Sequence, residues 1–545
     1  MKTKVRYKKY GNFPDMDTVK EILLYGIKNG EDRRCFIYNN FDDEIEEKNY
    51  AELNHDTVGL AQYFYKLGLR GKKVAILGDN SYYWAAIFYA LSLGNFTVIP
   101  LDAKLGDEDI AELMVRSKCD AICYTNRFSD CIDNMKNTDG VVIKNYIKFE
   151  DFDKIIEEGH EDLNNGAMSV LDDTVDPDKV SYIVFTSGTT GKSKGVMLTQ
   201  KNIASDVEET CRAMTASHAL AFLPFNHTFS WASGLLAAPL LSEWGYICKN
   251  LRNIQKDMVN YHPQNFSAVP LAVETVYKQI WITAKKTGKL EILKKGIKLS
   301  NTLLKLGIDL RRKIFKEVIT NLGGDLELII SGGAFLDSKY EQGLYDLGIQ
   351  VVNGYGITEC SPVVTVNRLD EFKFGSAGKP LSCNEIKILD PDEDGVGEVL
   401  VRGKNVMKGY YEDPEATEEA FIDGWFRTGD YGYIDNDGFL FLKGRKKNLI
   451  VLSNGKNVSP EELEEKLIST IEYIKEVLVY EENAQITAEF YLDETIEPDA
   501  KNKIKEDVNE FNKNMPVFKQ IYNVKIRDEE FPKTTTLKIR RNYNK

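Results

Sequence analysis

VAILGDNSYYWAAIFYALSLGNFTVIPL, residues 74–101, holds two apolar runs separated by a segment of helical length. Val74-Ala75-Ile76-Leu77 reads as a buried strand that stops at Gly78. Tyr83 to Leu93 reads as an amphipathic helix ended by Gly94, and Phe96 to Leu101 as the next strand. Strand, helix, strand is a βαβ unit, and the same alternation of apolar runs with helix-period segments continues to both sides. The fold class expected is therefore α/β, with open sheets rather than an all-β or all-α chain.

The chain has 545 residues, 43% of them hydrophobic and 28% charged, which leaves room for three or four folding units. Its net charge of -14 excludes a general phosphate-backbone binder, because such affinity rests on Lys and Arg neutralising phosphates. No nucleic-acid partner is expected. The eight cysteines are scattered, and even the loose group Cys119, Cys123 and Cys131 lacks the paired spacing of a zinc site. The polar start and the absence of a long apolar run lead us to expect a reduced, cytoplasmic setting.

Further along, the strand Tyr182-Ile183-Val184-Phe185 runs into Thr186-Ser187-Gly188-Thr189-Thr190-Gly191-Lys192-Ser193-Lys194-Gly195, after which Val196-Met197-Leu198 is extended again. Glycines let successive N–H groups turn toward one anion, hydroxyls add donors, and lysine supplies a mobile charge, a combination suited to a polyphosphate. A P-loop reading fails, because that motif needs glycine where Thr186 stands and a helix where this loop meets a strand.

Two more small-residue loops follow apolar strands. Leu328-Ile329-Ile330 leads to Ser331-Gly332-Gly333-Ala334, and Val351-Val352 leads to a loop Asn353-Gly354-Tyr355-Gly356-Ile357-Thr358-Glu359. Such loops sit where open α/β sheets bind ligands. Small residues admit a flat ring, Tyr355 offers a stacking face, Thr358 a hydroxyl, and Glu359 a hard oxygen for magnesium.

The stretch YIVFTSGTTGKSKGVMLTQKN resembles the signature of the adenylate-forming superfamily, which includes acyl-CoA synthetases, luciferases and peptide-synthetase adenylation domains. The likeness extends over nearly the whole chain. It implies a large multi-subdomain N-terminal domain, residues 1–446, and a small mobile α+β C-terminal domain, residues 447–545. It also implies roles: adenine at Tyr355, the α-phosphate at Thr358, magnesium at Glu359, and the ribose hydroxyls at Asp430 and Arg445. By the same likeness His227 lies beside the acyl site, Trp231 and Gly234 line the acid pocket, and Lys447 is the hinge. The tail Phe531 to Arg541 resembles the family's terminal segment, in which Lys538 would reach the site during adenylation; Leu537 replaces the usual Gly, as in fatty acyl members.

The chemistry implied is attack of a carboxylate on the α-phosphorus of ATP with loss of pyrophosphate, a task of positioning and charge neutralisation shared by the loop, Lys194, Thr358, Glu359 and Lys538. ATP and Mg2+ are the expected cofactors and CoA the co-substrate, with a medium- or long-chain fatty acid favoured. Transfer to an acyl carrier protein, and a non-catalytic nucleotide-binding relative, stay open. Finally, 278–325 is lysine-rich at helical period; it reads as a solvated face, with a surface for an acidic ligand or a peripheral membrane contact as the other readings.

Overall fold

The computed structural model describes residues 11–136, 138–186, 193–214, 217–248, 253–451, 457–483, 485–533 and 539–541. The βαβ unit sits at the centre of a seven-stranded sheet. Its order is Gly409–Tyr410, Lys194–Thr199, Val180–Thr186, Thr97–Leu101, Lys73–Leu77, Ala121–Tyr124 and Asn145–Lys148. Lys73–Leu77 and Thr97–Leu101 pair in parallel, as a helical crossover requires. The helix between them spans Tyr82–Leu93, capped by the Ser81 side chain.

That helix departs from expectation in being buried along its entire length. One side lies on the seven-stranded sheet, and Phe36, Tyr38 and Phe225, from outside that sheet, pack over the rest. With apolar layers on both sides there is no solvent for a polar face to meet, so amphipathicity is not needed.

A nine-stranded mixed sheet carries the second large layer. Its middle runs Val363–Val366, Gln350–Gly356, Leu328–Ser331, Asn265–Ala268 and Ala219–Ala221. Helices Pro270–Lys286, Leu290–Lys305 and Lys316–Asn321 pack beside it around Ile280, Leu293 and Phe315. A third, antiparallel sheet includes Gly397–Gly403, Trp425–Ile434 and Leu440–Arg445.

Beyond Ile450 a separate core forms. Helices Pro460–Thr470 and Ala500–Lys513 cover a three-stranded sheet, with Leu463, Val479, Phe490 and Ile504 between the layers. Ser459 caps the first of these helices by accepting the Glu462 N–H, with Pro460 at its first turn, as the sequence predicts. Together the layers make an α/β body and a small α+β unit.

Candidate active site

A cavity of about 2910 Å³ lies among these layers. Its polar end collects residues that are far apart in the chain. The strands Val180–Thr186 and Lys194–Thr199 form a hairpin in which Thr186 stands opposite Lys194, so both side chains are delivered to the cavity wall at the base of the glycine-rich tip. The tip itself, with Ser187, Gly188, Thr189, Thr190 and Gly191, lies outside the described residues.

The stretch from Asn353 to Gly356 corrects an expectation: it is strand rather than loop. Gln350–Gly356 pairs in parallel with Leu328–Ser331 through Asn353, then continues antiparallel to Val363–Val366. Glycine is what allows the second pairing, since a Cβ on Gly356 would come 2.3 Å from the Pro362 carbonyl oxygen. The strand delivers Gly354, Tyr355 and Gly356 to the cavity, and the following turn delivers Thr358 and Glu359. Gly333 and Ala334 line it as well, whereas Asn353 is buried behind the wall, its amide donating to the Ser376 carbonyl.

Asp430 and Arg445 meet because their strands pair in a register that sets them directly opposite. Arg445 Nε lies 2.7 Å from Asp430 Oδ1, and the Tyr355 hydroxyl donates to Asp430 Oδ2 at 2.6 Å. Burial, with the Asp430 charge beside it, raises the Tyr355 phenol well above its ordinary range, so the ring stays a neutral donor. Three motifs that are separate in the chain are thus one hydrogen-bonded unit.

Two further residues, one on this wall and one behind it, were not singled out in the sequence. Tyr410 donates its hydroxyl to Glu359 Oε1 at 2.9 Å, while the Lys194 ammonium sits 4.7 Å from the centre of the same ring. The backbone around Tyr410 is tied on both sides, by Met407 N–H to the Glu359 carbonyl at 2.8 Å and by Tyr411 N–H to Gly195 at 2.7 Å. Arg116 holds the near end of the loop through the Ser193 hydroxyl and carbonyl, at 2.9 and 2.5 Å. Neither residue sits in a glycine-rich or charged motif; an aromatic pair after Gly409 and a lone helical Arg look ordinary until the strands are paired.

His227 lines the cavity, half-buried, where the polar end gives way to apolar walls. Trp231 does not line it. Its ring is fully buried against Phe88 and Tyr182, at 5.0 and 5.5 Å, and Nε1 donates to the Phe225 carbonyl, so it is a core residue rather than a pocket residue. Gly234 is likewise absent from the wall. Lys447 stands in the turn Lys446–Asn448 at the cavity edge, its ammonium pKa lowered by burial and then by Arg445. Lys538 lies outside the described residues; Pro532 and Ile539, Arg540 and Arg541 near it in the chain line the cavity.

From this wall the cavity continues between Pro270–Lys286, Leu290–Lys305 and Lys316–Asn321. There it is lined by Val276, Ile280, Leu293, Phe315, Val318 and Leu322, and it reaches Lys289 and Ile292. One space therefore has an ionic end and a hydrocarbon end.

Two mixed sheets with a small α+β unit against them make the adenylate-forming fold. A solved anthranilate CoA ligase, AuaEII with anthranoyl-AMP, has it too, at TM-score 0.77, with 97% of this chain and 96% of that one aligned at 17% identity. Residues 26–411 match the family described as AMP-binding enzyme and residues 447–544 the AMP-binding enzyme C-terminal domain, so this chain belongs to the AMP-binding, adenylate-forming enzyme family. Fatty acyl-CoA synthetase B of Dictyostelium discoideum is 29% identical over 512 residues, 85% of this chain and 75% of that protein. A long-chain-fatty-acid–CoA ligase, FadD15 of Mycobacterium bovis, is 33% identical over 303 residues, which cover 52% of this chain and 50% of that relative, about half its length.

Proposed function

We propose that this chain activates a medium- or long-chain fatty acid: the carboxylate displaces pyrophosphate from ATP to give acyl-AMP, and the thiol of CoA then displaces AMP to give the thioester. The observation that carries the reading is the single cavity joining the Asp430–Arg445–Tyr355 unit to the apolar arm lined by Ile280, Leu293 and Phe315. A nucleotide needs the first and a hydrocarbon chain the second, and both reactants must reach the same point between them. The names of the two relatives, a fatty acyl-CoA synthetase and a long-chain-fatty-acid ligase, support the same substrate class.

In this reading Gly333, Ala334, Gly354, Tyr355 and Gly356 seat the adenine. Asp430 accepts from the ribose hydroxyls, with Arg445 fixing its carboxylate. Thr186, Lys194 and Thr358, together with Ser187 to Gly191, neutralise and orient the phosphates, and His227 faces the reacting carboxylate. Lys538 adds its charge during adenylation. The unit from residue 447 onward turns about Lys447 between the two half-reactions, so the domain boundary falls at 446/447.

The site fits a magnesium ion. Among the described residues no group of three or more His, Cys, Asp or Glu could enclose a metal, while Glu359 faces the cavity with one oxygen fixed by Tyr410. One carboxylate plus substrate phosphates and water is a usual magnesium environment. When bound, the ion would neutralise phosphate charge.

The test is pyrophosphate release by the purified protein with ATP and magnesium across acids from acetate to palmitate, with and without CoA. Release that depends on a long acid and rises with CoA is expected. Release only with short or aromatic acids would overturn the substrate class. Product formed on a carrier protein's phosphopantetheine and not on CoA would replace the acceptor, and ATP binding without release with any acid would overturn the activity.

A further inference from the structure

The helix Leu290–Lys305 leaves large apolar side chains in solvent. Ile292 is 68% exposed, Leu299 56% and Leu306, its C-cap, 72%, with Ile308 47% exposed just beyond. Residues 292, 299 and 306 are seven apart, so they fall on one side of the helix at about 100° per residue. Single exposed leucines need no explanation, but an aligned row on one helix does. The buried side of the same helix is elsewhere, where Leu293 and Ser300 face the protein.

Charge accompanies the row. Between Lys278 and Lys316 the sequence has twelve Lys and Arg against two carboxylates, Glu291 and Asp309, in a chain whose net charge is -14. Lys295, Lys298 and Lys305 are exposed on the flank of the apolar row and make no ion pair among the described residues. Lys289 and Lys294, by contrast, are paired to Glu317 and Glu291. A solvated lysine face alone would not put Ile292, Leu299 and Leu306 beside it. Among the described residues no helix is long and apolar enough to cross a membrane, so the face suits contact in the plane of a surface.

We propose that the Leu290–Lys305 helix docks this protein on the surface of an anionic lipid bilayer, with Ile292, Leu299 and Leu306 entering the headgroup–acyl boundary and Lys295, Lys298 and Lys305 meeting lipid phosphates. Ile292 also belongs to the far end of the cavity's apolar arm, so docking sets the mouth of that arm against lipid. On the acid-activation reading, that is where a fatty acid would enter. Docking itself requires no catalysis.

The experiment is co-sedimentation of the full chain with vesicles, in the absence of ATP, acid and CoA. Vesicles of phosphatidylcholine alone are compared with vesicles carrying about 30% phosphatidylglycerol, at low ionic strength and at about 0.5 M salt. Binding to the anionic vesicles that salt reverses is expected. Leu299→Gln with Leu306→Gln should weaken it by about tenfold or more, and Lys295→Glu, Lys298→Glu and Lys305→Glu together by at least as much, at about fivefold per charge. All five positions are exposed, so both variants should keep the parent's melting temperature. No sedimentation with either vesicle, equal binding to both vesicles, or anionic-vesicle binding that neither variant weakens would overturn the proposal. A dimer in light scattering that Leu299→Gln with Leu306→Gln abolishes, without vesicle binding, would also overturn it and assign the face to a second copy. Because no substrate is present, failure here leaves the activation reading untouched, and failure of pyrophosphate release leaves this one untouched.

Discussion

At one end of the cavity Asp430 is held by Arg445 and Tyr355 within 2.7 Å, and Glu359 is held by Tyr410; at the other, Val276, Ile280, Leu293 and Phe315 touch only by packing. The polar end is built from strands whose register sets the position of each side chain. The apolar end is built from helices, one of which leaves Ile292 and Leu299 exposed on its outer side. Directional bonds fix a single geometry for charge, whereas a hydrocarbon wall needs only shape and volume. Substitutions at the first end should therefore cost rate, and at the second should change which acid is used.

The largest effect is expected at Asp430. Asp430→Ala removes the common partner of Tyr355 and Arg445 and leaves the guanidinium without its carboxylate. Acid-dependent pyrophosphate release should fall by about a hundred- to a thousandfold, with little difference between acids. A loss that varies strongly with chain length would erase the distinction between the two ends.

Tyr410→Phe comes next. It keeps the ring under Lys194 and deletes only the hydrogen bond to Glu359. A hydrogen bond to a charged group contributes about 1.5–3 kcal/mol, so kcat should drop by roughly ten- to a hundredfold, with a higher magnesium requirement. Tyr410→Ala should lose more, since the lysine then loses its ring as well. Equal losses in the two variants would show that the ring does not position Lys194.

At the apolar end the sharpest site is Gly296, where an added Cβ would stand 3.1 Å from the Phe315 ring. Gly296→Leu should move the preferred acid to a shorter chain while the rate with short acids stays within about twofold, at a cost of roughly 1–3 kcal/mol in stability from crowding. The chain-length profile with ATP and CoA measures it. A uniform fall across all acids would instead mean that the arm between the helices is not where the acyl chain lies.

Much of this was readable in the sequence because the relevant signals are local. The apolar runs of 74–101, the Ser459-Pro460 helix start and the glycine-rich hairpin each carry their structure within a dozen residues. What escaped depends on partners far along the chain. Tyr410 joins the site because Gly409–Tyr410 pairs with Lys194–Thr199, and Gly354 to Gly356 is strand because Val363–Val366 folds back on it. Trp231 is expected at the pocket by family resemblance alone, and its ring is instead buried in the core, where Nε1 donates to the Phe225 carbonyl. The Tyr82–Leu93 helix reads as amphipathic from its period and is buried on every side, because whether a second layer covers a helix is a property of topology, not of period.

The smallest effect expected concerns stability rather than rate, and it lies outside both ends of the cavity. Glu341, on the helix Ser338–Asp346, is 1% exposed; one oxygen accepts the Gly375 N–H at 2.7 Å and the other has no hydrogen-bond partner among the described residues. Burial, with Asp337 adding to it, pushes its carboxyl from 4.5 up to about 8, against the pull of the Gly375 N–H. Between those values the folded chain keeps a proton that the unfolded chain has released, so stability falls as pH rises from about 5 to about 8 and levels off above, by at most about 1.4 kcal/mol per pH unit. Glu341→Gln is neutral throughout and should flatten that part of the melting-temperature profile, while leaving pyrophosphate release at pH 7 within about twofold of the parent. A slope over that interval that is the same in the parent and in Glu341→Gln would mean that Glu341 is already ionised in the folded protein, and that its helix holds a charge rather than a hydrogen-bonded acid.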